Sequence, residues 1–357
     1  MKIYIFFLIK SFLSSILNIF FIMFSLIFIL NLISEIDYFE KIKVENYFLI
    51  YLTFLNTPNL IFEIFPFIFL IATQFFFLKL FKDNQISIFK YNGLLNSKIL
   101  STISIAAFIF GFFIILIFYN FSSNLKKMYL EIKTNYTLDN KYLAVVTKNG
   151  LWIKDIFNNE ILIINSKKIE KNYLNENFIS VFDNNFNNIK NISSYKIDIR
   201  DKNWIIYNPI IFENDKKIQL DEINIKTNFD YKKIQNLFSN LSSLSIFKLF
   251  ELKNNYVELN YSTIDVDIQL LKLISYPFYL LLITLFSGII MFNSKKFKSS
   301  IFKISIGLFF SVIIYYLNNF FNILGSSEKI SVVISVFVPL IILSIINMIL
   351  MREINEK

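Results

Sequence analysis

The sequence predicts a membrane α-helical protein: six transmembrane helices arranged three plus three, with an inserted all-β, jelly-roll-like domain between the halves. Three observations lead there. Six apolar segments are long enough to cross a bilayer core, which takes about 20 helical residues. They gather at the two ends of a 357-residue chain that is 55% hydrophobic, with 44 Phe and 19 Tyr. Between them lies a stretch rich in Asn, Lys and Asp whose apolar and polar residues alternate.

The spans are expected near residues 12–33, 59–81, 100–121, 270–292, 301–324 and 330–351. The first apolar run is too long for a signal-peptide core, and no small-residue cleavage site follows it. Pro66 is expected to kink the second span, because a mid-helix proline removes a backbone bond. The organisation read from this pattern is 1–121 for the first three helices, with a connecting segment at 82–98, then a β domain over 122–267 and three helices over 268–357.

Basic residues orient the spans. Lys2 and Lys10 precede the first; Lys79, Lys82, Lys90 and Lys98 flank the second-to-third connection; Lys295, Lys296 and Lys298 fill the fourth-to-fifth. The loop after span one carries Glu35, Asp37, Glu40 and Glu45 against Lys41 and Lys43. Both termini are therefore expected inside and the β domain outside. The net charge of +9 follows from this bias without a nucleic-acid partner.

The chain has no Cys and no His, which removes thiol and imidazole catalysis, disulfides and the usual zinc sites. Its six glycines are isolated, and no G-x-x-x-x-G-K-[ST] string is present to cradle phosphates. Energy from ATP would have to come from another subunit.

In the middle region, Tyr195, Ile197 and Ile199 alternate with Lys196, Asp198 and Arg200, the period of a strand with one buried face. Asn149–Gly150 and the run around Asp183–Asn185 read as hairpin turns, and Ile223 and Ile225 share a face of another strand. Residues 241–254 read as a helix with Leu244, Phe247 and Phe250 on one side.

The segment "DNQISIFKYNG" (83–93), the run "TPNLIFEIFPF" (57–67), "NGLWIKD" (149–155), the strand pair "ISVFDNNFNNIKNISSYKIDIRDKNW" and "VIIYYLNNFFNILG" (312–325) come in an order that resembles the lipopolysaccharide export permeases LptF and LptG. The "GLWIKD" string and the last two spans lean towards the LptG branch. The resemblance covers essentially the whole chain. It implies a permease subunit of an inner-membrane ABC transporter that extracts lipopolysaccharide and passes it to a periplasmic bridge. It also implies partners: a cytoplasmic LptB-like ATPase dimer, an LptF-like second permease, and LptC-like and LptA-like periplasmic proteins. The chain itself binds no cofactor in this reading, and ATP and magnesium sit on the ATPase.

The resemblance assigns the second-to-third connection to a coupling helix in an ATPase groove, with Asn84, Gln85, Ile86, Phe89, Lys90 and Gly93 as its residues. Gln85 stands where the family usually has glutamate, so a neutral amide replaces a charge-assisted bond. Lys41 and Lys43 fall at the level where the family engages head-group phosphates, or else are solvated lysines. Phe24, Phe28, Asn318 and Asn319 lie on the first and fifth spans, which border the family's lateral gate; the phenylalanines are equally lipid-facing surface, and the amides inter-helix bonds. Glu63 faces a cavity or reaches towards water at the outer edge. Ile197, Ile199 and Ile206 line either an acyl-chain receptacle or a closed core.

Two rivals remain on the residues alone: a permease half of another lipid or lipoprotein exporter, and a non-transport envelope scaffold or assembly protein. On the favoured reading, Lys41→Glu weakens lipid crosslinking to the purified transporter; unchanged crosslinking removes Lys41 from the head-group site.

Overall fold

The computed structural model describes residues 3–40, 42, 44–134, 136, 151–157, 160–170, 172–183, 185–213, 216–231, 234, 240–258, 262–292, 299–352 and 354. The Asn149–Gly150 turn and Lys295, Lys296 and Lys298 lie outside the described residues. The chain divides into two units, Met1–Lys126 with Ile264–Lys357, and Lys127–Thr263.

The first unit is helical: α1 (Ile3–Phe39), α2 (Asn46–Lys82), α3 (Gln85–Tyr91), α4 (Asn96–Phe113), a π-helical turn (Ile114–Tyr119) running into α5 (Asn120–Thr134), then α7 (Ile264–Phe292), α8 (Ser300–Ser326) and α9 (Val332–Met351). Six of these paths are long and apolar enough to span a membrane, the third being α4 with its continuation. Helix α2 starts at Asn46, well before the expected 59, because "NYFLIYLTFLN" is itself apolar and helix-compatible.

Helix α2 is the centre of this unit: 67% of its apolar window is buried, against 61% for α7, 17% for α1 and 11% for α8. Two prolines, Pro58 and Pro66, lie inside it. Pro66 has no N–H for the Phe62 carbonyl, and in hydrocarbon that carbonyl needs another donor. Tyr276 of α7 supplies it, its hydroxyl donating at 3.1 Å while its ring stacks on Phe62 with centroids 5.0 Å apart. Similar side-chain bonds tie other helices: Ser287 to the Leu70 carbonyl at 2.8 Å, and Asn347 to the Leu282 carbonyl at 2.9 Å.

Among the described residues the second unit holds eight antiparallel strands: β1 (Leu151–Phe157), β2 (Glu160–Glu170), β3 (Tyr173–Phe182), β4 (Asn188–Asp198), β5 (Asn203–Tyr207), β6 (Ile210–Glu213), β7 (Lys216–Gln219) and β8 (Glu222–Lys226). They run as six lines. Strands β5 and β6 pair with β4 in one continuous register, Lys196 opposite Tyr207 and Asn191 opposite Phe212. Strands β7 and β8 likewise form a single line against β6 and β5. The break at Asn208–Pro209 has a local cause: Asn208 takes a positive φ of 47°, and proline has no N–H for the ladder.

That break belongs to a corner crossing the sheet. Glu176 on β3 also has a positive φ, 54°, and its ladder neighbour Tyr195 is exposed. Across this line the inward parity changes: Ile192 and Ser194 are buried on one side, Ile197 and Ile199 on the other. Tyr195 therefore does not share the buried face of Ile197 and Ile199, as uniform alternation would have it. A corner lets one sheet fold over its own apolar face. Buried Ser166, Asn177 and Ser194 line it and satisfy the strained backbone. Ser194 donates to the Tyr207 carbonyl at 2.6 Å and accepts the Lys196 N–H at 3.2 Å; Asn177 donates to the Leu174 carbonyl at 2.9 Å.

On one side of the corner a row of isoleucines crosses all six lines: Ile153, Ile164, Ile179, Ile192, Ile211 and Ile218. The first four are buried, and Ile218 at the far end is 42% exposed. On the other side Leu174, Ile197, Ile206 and Ile223 form a second row. Its end is covered by the segment after β8, where Trp204 donates its indole N–H to the Phe229 carbonyl at 2.8 Å. Asp155 of β1 clamps the same segment, accepting both the Asn228 backbone and side-chain N–H at 2.8 Å.

The expected turn at 183–187 is present, with Asp183 accepting the backbone N–H groups of Asn185 and Asn187 at 2.8 Å. The exit helix differs from expectation. Asn240 accepts from Ser242 and starts a short 3-10 turn, so α6 (Ile246–Glu258) begins after Leu244. It buries Leu249 and Leu252 while Phe247 is 82% exposed.

Ser194→Ala leaves a buried carbonyl and N–H short of a partner and costs about 1–3 kcal/mol. Tyr195→Ala next to it, on the exposed side, stays within about 0.5 kcal/mol. Thermal unfolding of the two variants in detergent, read by Trp204 fluorescence in a Trp152→Phe background, checks the contrast.

Candidate functional site

Helix α3 is built by its two ends. Asp83 and Asn84 cap α2 through bonds to the Lys79 and Phe81 carbonyls, and Asn84 turns the chain with a φ of 55°. At the other end the Gly93 N–H bonds to the Lys90 carbonyl and the Leu94 N–H to the Phe89 carbonyl, both at 2.9 Å. That pair is a Schellman motif, and Gly93 fills its left-handed position with a φ of 77°.

Between these ends the apolar residues divide. Ile86 is buried, and Phe89 turns inward to meet Phe7 of α1 with ring centroids 6.2 Å apart. Ile88 and Lys90 face outward, Tyr91 is 92% exposed, and Leu95 just beyond is exposed too. Gln85 is half-buried in the first turn. The sequence shows no single apolar face here because the helix has two, one seated on the bundle and one left exposed.

The remaining expected residues are scattered. Lys41 and Lys43 lie outside the described residues. Phe24 and Phe28 are half-buried and stack on one another at 6.2 Å, while Phe20 packs on Phe65 at 5.8 Å. Asn318 donates to the Tyr279 hydroxyl of α7 at 3.1 Å, and Asn319 beside it is half-buried. Glu63 is exposed within α2. Ile197, Ile199 and Ile206 are all fully buried, Ile197 and Ile206 as direct cross-strand partners. The Ile199 carbonyl accepts the Tyr231 N–H at 2.7 Å, so the covering segment is fastened over that part of the face.

A buried polar network was missed by sequence reasoning. Asn31 of α1 donates to the Thr53 carbonyl at 3.2 Å and accepts from Asn56 at 2.9 Å; Lys126 of α5 donates to Asn56 at 2.6 Å. The signal was available: Thr53, Asn56 and Thr57 fall at helix spacing on one face of α2. Starting the span at 59 placed all three in a loop.

A family model described as the lipopolysaccharide export system permease LptF/LptG matches residues 7–353. The chain belongs to the LptF/LptG family. The description takes the two branches together. No curated protein matches the chain. As an LptF/LptG permease the chain is a multi-pass transporter subunit of the inner membrane rather than an enzyme, and the bundle with its inserted β unit is the body of that subunit.

In this LptF/LptG chain Gly93→Ala forces an L residue into the left-handed region and costs about 1 kcal/mol at the end of α3. Hydrogen exchange at Lys90–Leu94 speeds up in the variant, and Gly93→Asn recovers part of the protection because Asn tolerates that conformation.

Proposed function

We propose that the chain is the LptG-like permease half of an ABC transporter that extracts lipopolysaccharide from the inner membrane and delivers it to a periplasmic bridge. The observation that carries the reading is α3: a short helix between two spans, seated on the bundle by Ile86 and Phe89, that offers Ile88, Lys90 and Tyr91 outward. A cytoplasmic LptB-like ATPase dimer grips that surface and holds the ATP and magnesium.

Supporting the orientation, Lys10, Lys79, Lys82, Lys90, Lys98 and Arg352 fall at the α3 end of the spans, the expected cytoplasmic side. Helices α1 and α8, the least buried, take the LptF-like partner and the lipid gate, with Phe24, Phe28, Asn318 and Asn319 on their path. Lys41 and Lys43 contact head-group phosphates at the opposite level. The β unit is periplasmic and receives acyl chains along Ile197, Ile199 and Ile206 once the segment around Phe229 lifts; LptC-like and LptA-like sandwiches continue the route. A motor is required because each buried CH₂ contributes about 0.8 kcal/mol, so several long acyl chains cost tens of kcal/mol to withdraw.

Loss of two aromatic or aliphatic anchors from an interface centre costs at least about 2 kcal/mol, roughly thirtyfold in affinity. Ile88→Asp with Tyr91→Asp is therefore expected to strip the ATPase from tagged protein in mild detergent while leaving thermal stability unchanged. Undiminished ATPase recovery with the double variant would falsify α3 as the docking surface.

A further inference from the structure

Helix α8 is the least embedded span, yet at its α3 end one side chain of α2 reaches into it. Gln74 is fully buried, and its Nε2 donates to the Lys303 carbonyl at 3.2 Å. The same carboxamide occupies the space above Gly307, where an added Cβ would collide with it. Lys303 and Gly307 are one turn apart, so a single glutamine fills a notch cut for it in α8. Its Oε1 is buried with no hydrogen-bond partner among the described residues. A buried amide oxygen left in that condition calls for an explanation.

The neighbourhood along α2 leads straight to α3. Two turns on, the Phe81 ring lies 5.8 Å below the Lys303 ammonium and 5.7 Å from the Phe292 ring at the end of α7. The Phe81 carbonyl accepts the N–H of Asn84, the residue that starts α3, at 3.2 Å. Within two helical turns, α2 thus carries both the attachment of α3 and the grip on α8. A displacement of α3 has a direct path to the fifth span through α2.

We infer that the Gln74–Gly307 contact is the joint through which movement of α3 repositions the fifth span. Gln74 is a positioning residue for transport, not a lipid contact. The inference rests on the functional reading above. The half-satisfied carboxamide suits a joint: it holds one acceptor now and has an oxygen free for another donor when α8 shifts. A glycine notch lets α8 move past it without a Cβ in the way.

The absence of cysteine makes the test direct, since two introduced cysteines are the only labelling sites. Spin labels at Tyr47 in the first turn of α2 and Ser327 at the end of α8 report their separation in the reconstituted ATPase complex. The separation is measured nucleotide-free and with vanadate-trapped ATP. In the wild type it changes with nucleotide. In Gln74→Met, which keeps the volume and loses the bond, that change disappears. Lipid release then falls about tenfold while basal ATP hydrolysis stays within about twofold, within the usual range for coupling between sites.

If Gln74→Met does not assemble, Gln74→Ala with Gly307→Ala refills the notch without the amide and is read the same way. A variant whose label separation follows nucleotide as in the wild type overturns the joint, as does a parallel fall in hydrolysis and release. Wild-type protein that retains no ATPase overturns the functional reading and the joint with it.

Discussion

The constraint on which the rest depends is that a backbone N–H or C=O shut away from water must find a partner within the protein. It decides why the membrane part is helical and how each interruption is repaired. Pro66 breaks the bonding of the most buried helix, and the Tyr276 hydroxyl on the Phe62 carbonyl restores it. The sheet meets the same problem where Glu176 and Asn208 turn to positive φ, and Ser194 and Asn177 restore the bonding there. In both units an irregular backbone survives because a specific neighbouring side chain supplies the missing half of a bond.

This also indicates why the two halves of the bundle depend on one another. The donor that completes α2 sits on α7, and Ser287 of α7 bonds to Leu70 of α2. Spans from either side of the inserted β unit are thus stitched across 214 and 217 residues of sequence. The first and fifth spans are the least buried and remain the parts with apolar surface to offer.

Much of this was legible in the sequence because it follows from length and period. Six runs of apolar residues fix the spans, and Ile223 with Ile225 or the Asp183 turn fix strands and hairpins by local chemistry. What stayed hidden depends on non-local geometry. The parity switch at Tyr195 arises from backbone turns on neighbouring strands, which alternation within one strand does not register. Asn31 meets Asn56 only because α2 extends past its first proline. Gln74 is one polar residue in an apolar run, and only the packing of α8 sets Gly307 against it. For the candidate site, the resemblance placed a helix within 82–98, but gave neither its limits nor which side of it faces out. The alternation of Ile197 and Ile199 was legible as one face of a strand, whereas the segment fastened over that face is distant in sequence.

The π-helical turn at Ile114–Tyr119 has a consequence for everything downstream of it. Such a turn adds one residue without lengthening the rod by a full step, and one residue is worth about 100° of rotation. It sets the rotation of the first turns of α5 and aims the Lys126 ammonium at Asn56. Excising a single residue there would keep the span apolar and continuous yet wring the whole outgoing helix about its axis.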